Sequence, residues 1–438
     1  MRFTFIDNAC GIVEHDGFRI LSDPWLSEGA FDGSWYHFPP LRTTPQELCA
    51  VDAIYVSHIH PDHFDQATLA VLPHDLPVIV LDQGKNYLHR ALAAAGFDRL
   101  VKIPDGKSAQ LGPFALTAYK PFATDIFHES TIGNVIDSSL AMEAGQYKLY
   151  NGNDNNLTLE AAEAMRRRHG TFDLALLKYN AASPYPACFF NLDEQRRLAE
   201  AARIRERNLE HLVRVTEILQ PRCMMPFAGN FVYAGKQWPK NRFLGTTTWD
   251  AAAQYVAQRL PAQKTLVMNE GQTYDLASGT IAGSAYKPVD RNAQDKYAEG
   301  LADVTYPYES ETLDEDARAR MRSALPIARA NLWRMQQQLG FTQAYNMYVD
   351  VADGEYFHFS FADAASGFAA SDAPCKRPYL RAAMDPRLLL QILERRAHWN
   401  NVEIGGHIDF FRDPDVYYPD VHVMLSFLHV PQRVAKIA

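Results

Sequence analysis

Apolar positions in the first half of the chain fall into short runs separated by turn residues and by stretches with helical spacing. Arg2 to Ile6 and Gly11 to Glu14 read as strands, and His15-Asp16-Gly17 before Phe18 to Ser22 is a strong hairpin signal. Ala53 to Val56 and Pro77 to Leu81 are unbroken apolar runs of strand length, as expected of buried strands. Helices are expected over Asp65 to Leu72 and over Asn86 to Ala95, the second closed by Gly96. Further strands are predicted at Phe114 to Tyr119, Ser139 to Met142, Tyr147 to Tyr150, Phe172 to Lys178, Pro221 to Phe227 and Thr265 to Met268. A long charged helix is expected from Asn191 to Leu219, with Asn191 as its cap and Pro221 beyond its end. Alternating strands and helices are what an α/β layered fold requires.

The pattern changes at Lys287 to Leu313, which is polar and largely aperiodic and is the expected boundary. Beyond it, Asp314 to Leu339 reads as helical, with Pro326 expected to kink or divide it. Strands follow at Ala344 to Val351 and Glu355 to Phe361, then a helix at Pro386 to Arg396 and a strand at Val421 to Phe427. The expected organisation is a metal-binding domain over 1–286, a linker over 287–313 and a smaller C-terminal α+β domain over 314–438.

Composition narrows the class. At 438 residues, 47% of them apolar, the chain can build a substantial core and more than one domain. A formal net charge of −9 without long acidic runs argues against a polyanion-binding surface, so nucleic acid is not an expected partner. Cys10, Cys49, Cys188, Cys223 and Cys375 are odd in number, widely spaced and form no C-x-x-C pair, as expected of reduced thiols in a cytoplasmic protein. The N-terminus has no signal-peptide core, and no run approaches the roughly 20 apolar residues needed to span a bilayer, so no membrane association is expected.

The candidate chemistry follows the strand at Ala53 to Val56. Ser57-His58-Ile59-His60-Pro61-Asp62-His63 places four metal-ligating side chains within six residues, a density that packing does not explain because each would be costly to bury without a partner. His58 and His60 point the same way in extended backbone, and Pro61 turns Asp62 and His63 back over the same space. Asp23, at a strand end, is placed to support the histidines from behind. Asp154 also lies just beyond a strand end, and His128 and Asp137 both precede the strand at Ser139 and are candidates to complete the site. The expected first set is His58, His60 and His128; the expected second is Asp62 and His63, with Asp154 bridging, and Asp62 is the expected catalytic residue. Tyr179, Asn180, Tyr185, Asn230 and Tyr233 follow strand ends on the same edge and are expected substrate contacts. The aromatic loop from Gly29 to Pro45 is a candidate pocket wall, and the polar stretch around Trp399 to Arg412 is expected to cover the pocket mouth.

H-x-H-x-D-H after a strand resembles the signature of the metallo-β-lactamase fold, an αββα sandwich. In that fold a last histidine usually follows a late strand, whereas Pro226-Phe227-Ala228-Gly229-Asn230 has none. Asp23-Pro24-Trp25-Leu26, Tyr55 to His63, Asn153-Asp154, Pro226 to Gly229 and Arg412-Asp413-Pro414-Asp415 together resemble the CMP-N-acetylneuraminate hydroxylase family, which includes the bacterial UDP-N-acetylmuramate hydroxylases. That resemblance implies one or two irons, O2 as co-substrate, a sugar-nucleotide substrate and electrons relayed by a Rieske centre. The Cys-x-His and Cys-x-x-His ligand pairs of such a centre do not occur in this sequence, so a separate donor such as a ferredoxin with its reductase is expected. The expected activity is a non-haem iron oxygenase, a hydroxylase or N-oxygenase, acting on a small polar metabolite such as a sugar nucleotide or an amine or amide intermediate. The alternatives are a zinc-dependent hydrolase of an ester, amide or phosphodiester, and a binding protein that keeps the fold without turnover.

Overall fold

A computed structural model describes residues 1–83, 87–123 and 137–431. The N-terminal hairpin forms from β1 (Arg2–Asp7), β2 (Cys10–His15) and β3 (Phe18–Ser22). Asp16 and Gly17 between the last two have φ of 47° and 80°, as a tight two-residue turn demands. A short β4 (Trp35–Tyr36) precedes β5 (Ala53–Tyr55), β6 (Val78–Asp82) and β7 (Leu100–Pro104), which continue the first sheet in parallel. Next come β8 (Ser108–Leu111), β9 (Phe114–Tyr119), β10 (Ser139–Ala144), β11 (Tyr147–Asn151), β12 (Leu174–Lys178) and β13 (Cys223–Phe227). The N-terminal region is completed by β14 (Val232–Tyr233), β15 (Lys264–Thr265), β16 (Thr273–Asp275) and β17 (Thr280–Ala282).

Apart from β4 and β14, which pair only with each other, these strands make two facing sheets, ordered β17-β16-β1-β2-β3-β5-β6-β7 and β15-β13-β12-β11-β10-β9-β8. Alternation along each strand decides which side chains meet. Phe3, Phe5, Ala53, Tyr55 and Ile79 of the first sheet share a core with Leu116, Leu140, Met142, Leu176 and Phe227 of the second. The opposite faces are buried too. Ile54, Val56 and Val80 pack with Leu88 and Leu92 of the helix Tyr87–Ala94, and Ala175 and Leu177 pack with the helices Leu159–His169, Glu194–Leu219 and Trp249–Arg259. Burial on both faces explains the unbroken apolar runs at β5 and β6. The result is an αββα sandwich.

A third sheet, β20-β19-β18-β21-β22, is built from β18 (Asn346–Asp350), β19 (Glu355–Ser360), β20 (Ser366–Ala370), β21 (Tyr379–Ala383) and β22 (Asp409–Asp413). Its core is continuous with the aromatic loop of the first half: Trp25, Phe31, Trp35, Phe189 and Tyr233 share a cluster with Leu325, Met347, Phe357, Leu389 and Phe410. The backbone joins as well, with Phe410 N donating to Cys188 O at 2.7 Å and Phe190 N to Phe410 O at 2.8 Å.

Four local expectations are corrected. Val421 to Phe427 is not a strand but part of the helix Pro419–Leu425, because Val421, Met424, Leu425 and Leu428 follow a helical spacing and Pro419 occupies its first turn. Asp193, not Asn191, caps the long helix, accepting from Arg196 N at 2.8 Å. The helix Glu315–Leu339 runs through Pro326 as one element; the proline faces solvent while Met321, Leu325, Ala328 and Leu332 hold the opposite face to the core. Residues 287–313, expected as a largely aperiodic linker, contain the helix Arg291–Gly300 and bury Val289, Ala298, Tyr306 and Tyr308.

Candidate metal centre

The ends of β1, β3, β5, β11, β12 and β13 and the start of β10 gather at one edge of the sandwich, and the candidate residues lie there. β5 delivers Ser57 and His58, and the turn at Pro61 is closed by His63 N and Phe64 N, which donate to His60 O at 3.0 and 2.8 Å. Asp65 caps the next helix and also accepts from Ser27 N at 2.9 Å and Ser27 Oγ at 2.8 Å, fixing this loop to the end of β3. Asp23 N donates to Tyr55 O at 2.8 Å, and Asp23 Oδ1 accepts from Ser57 N at 2.7 Å. On the opposite sheet, Ser138 Oγ donates to Ser57 O at 2.7 Å and lies 2.9 Å from Tyr55 Oη, which sets Asp137 beside His58.

Two groups of donor atoms result: His58, His60 and Asp137, and His58, His63 and Asp154. His58 Nε2 lies 2.9 Å from His60 Nδ1 and 3.3 Å from Asp137 Oδ1. His63 Nε2 lies 3.3 Å from Asp62 Oδ2 and 3.6 Å from Asp154 Oδ2, yet it is buried without a hydrogen-bond partner. Such an orphaned nitrogen facing carboxylates is what a cation site requires. The other nitrogens of these rings are engaged. His58 Nδ1 is 2.9 Å from Ser57 Oγ, His63 Nδ1 is 3.3 Å from the same oxygen and 3.1 Å from Asp23 Oδ2, and His60 Nε2 is 2.9 Å from Asn400 Oδ1. With one proton on each outward nitrogen, the inward nitrogens of His58 and His60 are free to ligate, and that of His63 becomes free when its ring gives up its second proton as a cation enters.

The charges are set by burial and by neighbours. Burial, with His63 and His60 adding repulsion, pushes the His58 pKa well below its ordinary value, so this ring is neutral. Burial works against a charge on His63 as well, but Asp62 and Asp23 outweigh it and raise that ring's pKa well above the usual range. Asp154 is opposed by burial, and Lys178 and His63 overcome this and hold its carboxyl far below the usual carboxylate range. Lys178 Nζ is 3.0 Å from Asp154 O and 3.8 Å from Asp154 Oδ1.

Against the sequence-based expectations, His58, His60, His63 and Asp154 are brought together, and Asp23 lies directly behind His63 and Ser57. His128 lies outside the described residues, and Asp137 occupies the position beside His58 and His60. Asp62 stands next to the second group, not within it, with Oδ2 accepting from Asn8 Nδ2 at 3.2 Å. Asp154 Oδ2 is the oxygen near His63 Nε2, at 3.6 Å, and Oδ1 lies 3.8 Å from Lys178 Nζ.

Four of the five expected substrate contacts, Tyr179, Asn180, Asn230 and Tyr233, are buried in the protein's own packing and hydrogen bonds. Tyr179 is buried among the residues behind the second sheet. Asn180 spends its amide on Gly229 O at 2.9 Å and Thr247 O at 2.8 Å, and its oxygen accepts from Thr247 N at 2.9 Å. Asn230 donates to Asp7 Oδ1 at 3.0 Å and Phe38 O at 2.6 Å, and Tyr233 donates to Ile404 O at 2.8 Å. Tyr185 packs edge-on against Phe189 with the Arg412 guanidinium 4.9 Å from its ring centre. Strand ends face both the site and the core; Tyr179, Asn180, Asn230 and Tyr233 took the core, and Tyr185 stays partly exposed.

Sequence reasoning missed Asn8. At φ 46° in the turn after β1, its Oδ1 accepts from Gly229 N at 2.6 Å and Asn230 N at 3.1 Å while its amide reaches Asp62. The late strand therefore ends in a backbone clamp on Asn8 where a histidine was expected. An Asn in a two-residue gap between strands was the available signal, and it reads as an ordinary turn.

Residues 18–226 match the family described as Beta-lactamase superfamily domain. The fold is that of the metallo-β-lactamases. A Mycolicibacterium smegmatis protein named as a Rieske 2Fe-2S iron-sulfur protein is 27% identical over 66% of this chain and 56% of its own length. The cytidine monophosphate-N-acetylneuraminic acid hydroxylase of Pan troglodytes is 22% identical over 95% of this chain and 70% of its own length. A solved structure of a possible metal-dependent hydrolase from Veillonella parvula is 15% identical, covering 62% of this chain and 98% of that one with a TM-score of 0.45. The chain spans roughly half the length of several curated relatives it matches, as in the 44% and 56% covered in two mycobacterial proteins. Among the described residues, no helix is long and apolar enough to cross a membrane.

Proposed function

We propose that this chain is a non-haem iron-dependent oxygenase that hydroxylates or N-oxygenates a small polar metabolite, such as a sugar nucleotide or an amine or amide intermediate. The observation that carries this reading is the convergence of three imidazoles, their outward nitrogens already engaged, on two carboxylates with no thiolate among them. An imidazole and carboxylate set with positions left open suits iron that must also accept O2. The relation to a named hydroxylase along 95% of the chain supports the same reading.

His58, His60 and Asp137 would hold one metal, and His63 and Asp154, with Asp62 beside them, a second. Bound there, iron would supply the redox chemistry that divides O2 between substrate and water. One oxygen atom would enter a C–H or N–H bond and the other leave as water, which takes two electrons from a donor such as a ferredoxin and its reductase and two protons from solvent. The chain's own groups prepare the site. Ser57 and Asp23 keep protons on the outward nitrogens of His58 and His63, and Lys178 keeps Asp154 ionised. Phe31, whose ring centre is 5.9 Å from that of His60, puts an apolar wall at the first group.

The test is oxygen uptake by the iron-reconstituted full chain with a chemical reductant. Uptake that His58→Ala abolishes supports the reading, and zinc-loaded protein that consumes no oxygen but hydrolyses ester, amide or phosphodiester substrates anaerobically overturns it. That second outcome is the alternative function. It is favoured by the His58, His60 and Asp137 set, since three ligands and an open position are also what catalytic zinc uses.

A further inference from the structure

We propose that Asn400, in the C-terminal domain, is a positioning residue for the metal centre: its side-chain oxygen accepts a hydrogen bond from His60 Nε2–H, holding the proton there, and so leaves Nδ1 free to ligate. The inference rests on the reading that His58 and His60 hold a metal, and it adds that the centre is incomplete without the second domain.

A neutral imidazole carries one proton, and His60 Nδ1 faces His58 Nε2 at 2.9 Å, so a cation can sit there only if the His60 proton is on Nε2. The outward nitrogens of His58 and His63 face partners from their own domain, Ser57 and Asp23. For His60 the partner comes from 340 positions away, Asn400 Oδ1 at 2.9 Å on the helix Trp399–Ile404. An acceptor at that place selects the ligating tautomer. A donor there would drive the proton to Nδ1 and block the site.

The helix has a fixed seat. Tyr233 Oη donates to Ile404 O at 2.8 Å, Lys240 Nζ donates to Gly406 O at 2.6 Å, and His407 Nε2 donates to Phe31 O at 2.9 Å. Gly405 allows the approach, since a Cβ on it would stand 2.8 Å from Phe31 O. Phe31 in turn lies against His60, so the segment from Asn400 to His407 fixes that ring through its nitrogen and through the aromatic residue beside it. Groups that orient a metal-ligating histidine in this way typically change metal affinity by about 10- to 100-fold when removed.

The experiment titrates metal-stripped full chain with Co2+, read by visible absorption and by chelator competition, with apo thermal unfolding as the fold control. Asn400→Leu is expected to weaken Co2+ binding by about 10- to 100-fold and to alter the absorption bands, whereas Asn400→Asp, which keeps an acceptor, stays near the parent. In a His60→Ala background, Asn400→Leu is expected to add nothing. Asn400→Ala, which only removes atoms, is read in the same way if the Leu variant does not fold. Parent-like affinity in Asn400→Leu, an Asp variant as weak as the Leu variant, or a full Leu effect without His60 would overturn the inference. A parent chain that takes up no Co2+ would instead overturn the metal reading beneath it.

Discussion

Replacing Asn8 by Ala removes three hydrogen bonds at once, and the structure says what each is worth. Gly229 N and Asn230 N lose their shared acceptor in a buried setting, and an unsatisfied buried donor costs about 1–3 kcal/mol. The backbone at φ 46° adds a cost, because Ala tolerates the left-handed region less well than Asn by about 1–2 kcal/mol. The expected loss for Asn8→Ala is therefore about 3–8 kcal/mol, with the low end applying where water enters to satisfy the two amides. Asn8→Gly separates the two contributions. It keeps the amides orphaned but relieves the backbone, so it should be more stable than Asn8→Ala by about 1–2 kcal/mol. Equilibrium urea unfolding of the full metal-free chain measures both. Losses below about 1 kcal/mol, or Ala and Gly variants of equal stability, would refute the assignment of Asn8 as the clamp between Asp62 and the end of β13.

Asp32, with one carboxylate oxygen buried and unpartnered, has its pKa raised by burial from 3.8 to about 6. The folded state binds this proton more tightly than the unfolded one, so the group lowers stability as pH rises from about 4 through about 6 and costs nothing below that window. At about 1.4 kcal/mol per pH unit the penalty at pH 7 is at most about 3 kcal/mol. Asp32→Asn is expected to unfold at higher temperature than the parent at pH 7 and at the same temperature at pH 4; an equal gain at both would contradict this. Gly229→Ala would place a Cβ 2.7 Å from Asn180 Cβ at φ 86°, and a loss of about 2–5 kcal/mol in thermal unfolding is expected. A midpoint indistinguishable from the parent's would show that the end of β13 yields where it is drawn as rigid.

The sandwich was legible because both faces of its central strands are buried, which writes β5 and β6 as continuous apolar runs. The candidate metal motif was legible because four side chains of ligand type follow one such strand within six residues. Asp23 could be anticipated from its place at the end of β3, one strand over. Asn8 and Asn400 could not: each acts on the motif across 54 and 340 positions, and each looks locally like a turn or a helix-surface residue. Tyr179, Asn180, Asn230 and Tyr233 show the complementary failure. Proximity to the edge was readable, but the side of the chain to which each points depends on turns such as Ala228-Gly229, both at positive φ. The strand expected at Val421 to Phe427 failed because a short apolar run has no decisive period until its neighbours, Pro419 and Leu428, are counted with it.

The proposed function requires that imidazoles and carboxylates from separate loops share a cation that is iron. Anomalous diffraction at the iron and zinc edges, from crystals of protein purified without added metal, addresses it directly. The account expects an iron-edge peak bounded by residues 58, 60, 63, 137 and 154; zinc signal alone at that place, or a metal bound by other side chains, would contradict it.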